Sequence, residues 1–75
     1  MQRLSQPQLR ILSRNVRLLR EQAGLTQEKL AEKADIAPRT LQFIESAQFG
    51  ASLAVLNRLR RALGCEWGTL LAGIE

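Results

Sequence analysis

Leu25-Thr26-Gln27-Glu28-Lys29-Leu30-Ala31-Glu32-Lys33-Ala34-Asp35-Ile36-Ala37-Pro38-Arg39-Thr40-Leu41-Gln42-Phe43-Ile44-Glu45-Ser46 is the stretch that decides the fold. Thr26 offers a side-chain oxygen to a helix N-terminus. The helix that follows is expected over roughly 27–34, with Leu30, Ala31 and Ala34 facing inward. Asp35-Ile36-Ala37 is a three-residue break. Pro38 suits the first turn of a second helix, because its missing N–H would be unpaired there anyway. That helix is expected over roughly 38–46, with Leu41 and Ile44 inward. Two helices joined by so short a turn must cross steeply. The crossing needs a small residue, which Ala31 supplies, and Ile36 plugs the turn. The outward side of the second helix carries Pro38, Arg39, Gln42, Phe43 and Ser46. A helix about 10–12 Å wide with such a side fits a major groove about 12 Å wide.

The flanks extend the helical pattern. Leu9, Leu12, Val16, Leu19 and Ala23 recur at steps of 3, 4, 3 and 4, which is one stripe on a helix. This first helix is expected over roughly 7–23, opened by Pro7 and closed by a left-handed Gly24. A loop from Ala47 to Ala51 contains Gly50. Ser52 then caps a helix over roughly 53–63, with Leu53, Leu56, Leu59 and Leu63 on one face and Gly64 at its end. A short helix over roughly 66–72 carries Trp67, Leu70 and Leu71. No segment of useful length alternates with period two, so no sheet is expected. The reading is an all-α, five-helix chain forming one domain over residues 1–75, without repeat or linker.

Composition narrows the function classes. A chain of 75 residues buries only about 60% of its unfolded surface, so its core must be continuous. There is no room for a separate substrate lobe. Eleven Lys+Arg against seven Asp+Glu give a net charge of +4, which favours polyanionic partners, nucleic acid first. His is absent and Cys occurs once, so a His general base and an intrachain disulfide are excluded. No metal or cofactor is expected. No apolar run approaches the roughly 18 residues of a membrane span, and the N-terminus lacks the apolar core of a signal peptide. A cytoplasmic protein is therefore expected. Glu28 and Glu32 are spaced i, i+4, but with two adjacent Lys and no base they make no catalytic pair.

Leu25 to Ala34 resembles the "G-L-T-Q-x-x-L-A" signature of the Cro/cI-type (XRE) helix-turn-helix regulators. Val16-Arg17-Leu18-Leu19-Arg20 is similar to the "I-R-x-L-R" end of that family's first helix. Ile44-Glu45-Ser46, Ser52-Leu53 and Arg61-Ala62-Leu63-Gly64 continue the likeness in register, over roughly residues 11–72. The resemblance implies a five-helix, lambda-repressor-like domain that binds double-stranded DNA and performs no chemistry. Four positions depart from the pattern. Asp35 and Ala47 stand where the family favours Gly, Ala37 replaces the usual Ser or Thr cap, and Lys29 occupies the place of a capping-box Glu.

Roles follow from the resemblance residue by residue. Gln27 and Thr40 are implied as phosphate contacts, joined by Gln48 in the loop. Pro38, Arg39, Gln42 and Phe43 are the expected base-reading set. Arg39 suits a guanine edge or a phosphate, and Gln42 an adenine edge or solvent. Phe43 suits a thymine methyl or a protein surface, unless the helix phase is shifted and the ring is partly buried. Arg20 and Glu45 match a pair that ties the first helix to the end of the third. Arg10, Arg14 and Arg17 share one side of the first helix, as a solvated face or a DNA-backbone patch. Arg58, Arg60 and Arg61 are expected in solvent, and Cys65 as a buried, inert thiol.

Regulators of this geometry bind pseudo-palindromic operators as homodimers. With no separate oligomerisation domain, the interface is expected at the last helix and tail: Trp67, Leu70 and Ile74. The expected function is an autoregulating repressor or controller. The alternatives are an antitoxin with a toxin partner, and a protein-interaction domain without DNA binding.

Overall fold

The computed structural model describes residues 4–48 and 51–75. Positions 49 and 50 of the expected loop, Gly50 included, lie outside the described residues. Five α-helices follow one another: α1 (Gln6–Gln22), α2 (Gln27–Ala34), α3 (Pro38–Glu45), α4 (Leu53–Leu63) and α5 (Trp67–Leu70). The fold class is the expected one, all helical among the described residues.

Capping sets most of the boundaries. α1 begins one residue before Pro7 because Ser5 and Gln8 form a reciprocal capping box. The Gln8 N–H donates to Ser5 Oγ at 3.3 Å, and the Ser5 N–H donates to Gln8 Oε1 at 2.8 Å. Gly24 leaves the helix at φ +71°, as its lack of a Cβ permits. Thr26 Oγ1 accepts the Lys29 N–H at 3.1 Å and opens α2. Asp35 closes α2 in the left-handed region, at φ 57° and ψ 49°. Arg58 Nη1 donates to the Asp35 carbonyl at 2.9 Å, so this exposed arginine also braces the turn. Ala37 opens α3 without a side-chain cap bond. Ser46 then ends α3 one residue early, and Ala47 reverses the chain at φ 58°.

The core is built from α1, α2, α3, α4 and the end of α5. Leu12, Val16, Leu30, Ala31, Leu41, Leu59 and Leu70 are all sealed from solvent. Ala31 is fully covered on the inward side of α2, and Ile36 packs against the same cluster. Three expectations are corrected. On α4 the inward set is Leu56, Leu59 and Ala62; Leu53 sits at the first helical position and is 73% exposed. Ala23 is exposed because it caps α1 rather than continuing its stripe. α5 stops at Leu70 instead of 72, since Asn15 Nδ2 on α1 donates to the carbonyls of Leu70 and Ala72, both at 2.9 Å.

The expected self-association residues divide. Leu70 is buried in the core and cannot form part of an interface between copies of this fold. Its chain is pinned against α1 by the Asn15 bonds, which turns the side chain inward. Trp67 and Ile74 are half-buried and pack against the core edge. No helix among the described residues is long and apolar enough to cross a membrane.

Candidate nucleic-acid interface

α3 places its inward residues and its outward residues as a 3.6-residue period requires. Leu41, Ile44 and Glu45 are buried, while Pro38, Arg39 and Gln42 are exposed. Phe43 is half-buried at the margin of the outward side. The Arg39 guanidinium lies over the Phe43 ring, 5.4 Å from its centroid. Residues four apart on a helix are neighbours, and a cation is attracted to an aromatic face. Phe43 is therefore a platform that narrows where the Arg39 side chain can go. The helix phase is unshifted, because Leu41 and Ile44 remain in the core.

The attitude of α3 is fixed from behind. Arg20 Nε donates to Glu45 Oε2 at 2.8 Å, and Arg20 Nη2 donates to Glu45 Oε1 at 3.0 Å. Arg20 Nη1 donates to the Leu25 carbonyl at 2.9 Å. Gln27 Nε2 donates to Glu45 Oε1 at 3.1 Å. The Ser13 hydroxyl donates to the Glu45 backbone carbonyl. One carboxylate thus joins α1, the start of α2 and the end of α3. The side chains of Arg20 and Glu45 are only 14% and 4% exposed, so the pair is largely withdrawn from water. The hydrogen bond to Glu45 holds the Arg20 guanidinium above its ordinary value, against the opposing effect of burial. A planar, bidentate pair of this kind sets orientation as well as charge balance.

Other candidate residues stand around this frame. Gln27 is half-buried at the first position of α2, with one amide hydrogen committed to Glu45. Its NH2 group has a second hydrogen to give. Gln27 and Gln42 line one open hollow together with Arg20, Thr26 and Glu28. Thr40 is half-buried in the first turn of α3. Gln48 is exposed beyond the Ala47 reversal, at the opposite end of α3 from Arg39, and its N–H donates to the Phe43 carbonyl at 3.1 Å.

Sequence reasoning missed three supporting contacts. Ser13 is buried and bonds α3, and its signal was a small polar residue beside Leu12 on the inner side of α1. The Gln27–Glu45 bond joins residues 18 apart and had no local signal. Arg60, expected in solvent, donates to Asn57 Oδ1 at 2.9 and 3.2 Å and to the Cys65 carbonyl at 3.3 Å, and covers the Trp67 ring at 5.2 Å. Cys65 beneath it is half-buried, and burial pushes its thiol up while Arg60 opposes the shift. No group of three His, Cys, Asp or Glu among the described residues could hold a metal ion.

The comparisons with known proteins agree with this geometry. A helix-turn-helix family model matches residues 16–70. An uncharacterized HTH-type transcriptional regulator of Methanothermobacter thermautotrophicus is 39% identical over 51 residues, which cover 68% of this chain and 74% of that protein. The restriction-modification controller protein C.AhdI from Aeromonas hydrophila superposes with a TM-score of 0.79 at 31% identity, covering 83% of this chain and 94% of the controller. A hypothetical transcription factor, NHTF from Neisseria, superposes with a TM-score of 0.81 at 24% identity, covering 95% of this chain and 83% of its own, and shows the shared fold. The closely joined α2 and α3, the buried Arg20–Glu45 ion pair behind α3 and these matches lead to one assignment: the chain belongs to the helix-turn-helix family of DNA-binding transcriptional regulators.

Proposed function

We propose that this regulator recognises a specific double-stranded DNA sequence by inserting α3 into the major groove. The observation that carries the reading is the outward side of α3, where Arg39 is stacked on Phe43 while Glu45 is locked from behind by Arg20 and Gln27. A pre-positioned guanidinium suits bidentate recognition of a guanine edge. Pro38, Gln42 and Phe43 complete the reading face. Gln27, Thr40 and Gln48 surround it as phosphate contacts, with the α2 N-terminus aiding Gln27.

One α3 spans too few base pairs to select a genomic site, so the operator is a pseudo-palindrome bound by a homodimer. Trp67 and Ile74 at the α5 edge are the residues we assign to the dimer contact, without Leu70. The likeness to a restriction-modification controller supports an autoregulating controller or repressor working in the cytoplasm, with no catalytic role. The test is a footprint on the DNA upstream of the gene, combined with sedimentation of the complex. The reading expects protection of two half-sites about 34–36 Å apart, with two chains bound. Absence of protection, or one chain per palindrome, would overturn it.

A further inference from the structure

We propose that Arg10, Arg14 and Arg17 form a basic ridge on α1 that grips the phosphate backbone of DNA flanking the groove entered by α3. The inference rests on the reading of α3 as the inserted helix and extends its footprint. All three side chains are exposed, at steps of four and three along one side of α1. They line one open groove whose other wall is Glu45, Ser46 and Ala47, the C-terminal end of α3 and its reversal. This wall is tied to α1 by two hydrogen bonds. The Ser13 hydroxyl bonds the Glu45 carbonyl, and Gln6 Nε2 donates to the Ala47 carbonyl at 3.1 Å.

The charges in this groove are uncompensated. Among the described residues, none of the three arginines makes an ion pair or hydrogen bond. By contrast Arg20, Arg58 and Arg60 are all spent on internal acceptors. The acid in the groove wall, Glu45, is already neutralised by Arg20. Seven residues of helix rise about 10 Å, and one DNA strand carries a phosphate about every 3.4 Å of axis. The ridge is therefore long enough to meet more than one phosphate of that strand. It lies beside the end of α3 opposite Arg39, where the strand bordering the groove would pass.

The test compares two variants of equal charge, Arg14→Gln/Arg17→Gln and Lys33→Gln/Arg61→Gln. Lys33 and Arg61 are exposed and line a separate hollow between α2 and α4. Gln keeps helix propensity close to that of Arg and Lys. Binding to a mixed-sequence duplex of about 30 base pairs is followed by fluorescence anisotropy, from about 50 to 200 mM salt. Each lost phosphate contact lowers the salt slope by about 0.9, which is roughly tenfold in affinity at the low-salt end. The ridge variant should therefore lose about 1.8 in slope and roughly 100-fold in affinity, and the control pair less than about threefold. Arg14→Lys/Arg17→Lys should retain most of the binding. Equal losses in the two Gln variants, or none in the ridge variant, would overturn the ridge while leaving the α3 reading intact. A wild-type chain that shows no salt-dependent binding would overturn both.

Discussion

Glu45→Ala is the substitution that most directly stresses the scaffold behind α3. It removes the acceptor of two Arg20 hydrogen bonds, at 2.8 and 3.0 Å, and of the Gln27 bond at 3.1 Å. Arg20 then keeps a single acceptor, the Leu25 carbonyl. An exposed ion pair is worth about 0–1 kcal/mol, whereas a buried pair that loses one partner costs about 3–5 kcal/mol. Side-chain exposures of 14% and 4% put this pair near the buried case. A domain of this size has a total stability of only about 4–11 kcal/mol. A loss of about 3 kcal/mol should therefore lower Tm by about 12–24 °C. Urea unfolding followed by far-UV circular dichroism measures the loss directly. Arg20→Met alone should also be costly, because it strands the carboxylate. The Arg20→Met/Glu45→Ala double variant should cost less than the two single changes summed, by roughly 1–3 kcal/mol. A Glu45→Ala loss below about 1 kcal/mol, or strict additivity in the cycle, would refute the reasoning.

Other outcomes follow from the same packing. Ala47→Gly and Asp35→Gly each relieve a left-handed residue, at φ 58° and 57°, and should each raise stability by about 0.5–1 kcal/mol in urea unfolding. Leu70→Ala should cost about 2–5 kcal/mol of chain stability, because Leu70 is core; a mere shift in self-association with no loss of stability would contradict that placement. Cys65 should react with iodoacetamide more slowly in the folded chain than in urea at mildly alkaline pH, since burial pushes its thiol up and disfavours the thiolate. That same raised thiol makes stability fall as pH rises past the ordinary thiol value, because the unfolded chain ionises first.

The helices and the three-residue turn between α2 and α3 were readable because local chemistry determines them. The stripe through Leu9, Leu12 and Val16 and the caps at Thr26 and Ser52 act within one or two turns. Gly24 and Gly64 end their helices for reasons carried by single residues. Errors of one residue arose where two local signals competed, as when the Ser5–Gln8 box outranked Pro7 in starting α1. The larger failures involve contacts across the chain. Leu70 is held inward by Asn15, 55 residues away, which no pattern near α5 reveals. The Arg58 bond to Asp35 and the Arg60 stack on Trp67 likewise need the packed fold. On α3 the spacing of Leu41 and Ile44 defined the outward side in advance, but only the structure places Arg39 over Phe43.

The central claim is that the outward side of α3 reads bases, with Arg39 as its principal reader. The direct measurement is selection of bound sequences from a randomised duplex pool, run in parallel for the wild-type chain and Arg39→Ala. Arg39→Ala should relax preference by about 1–3 kcal/mol at a few positions, one in each half-site above all, and leave the others unchanged. An identical consensus of equal sharpness from both proteins would contradict it.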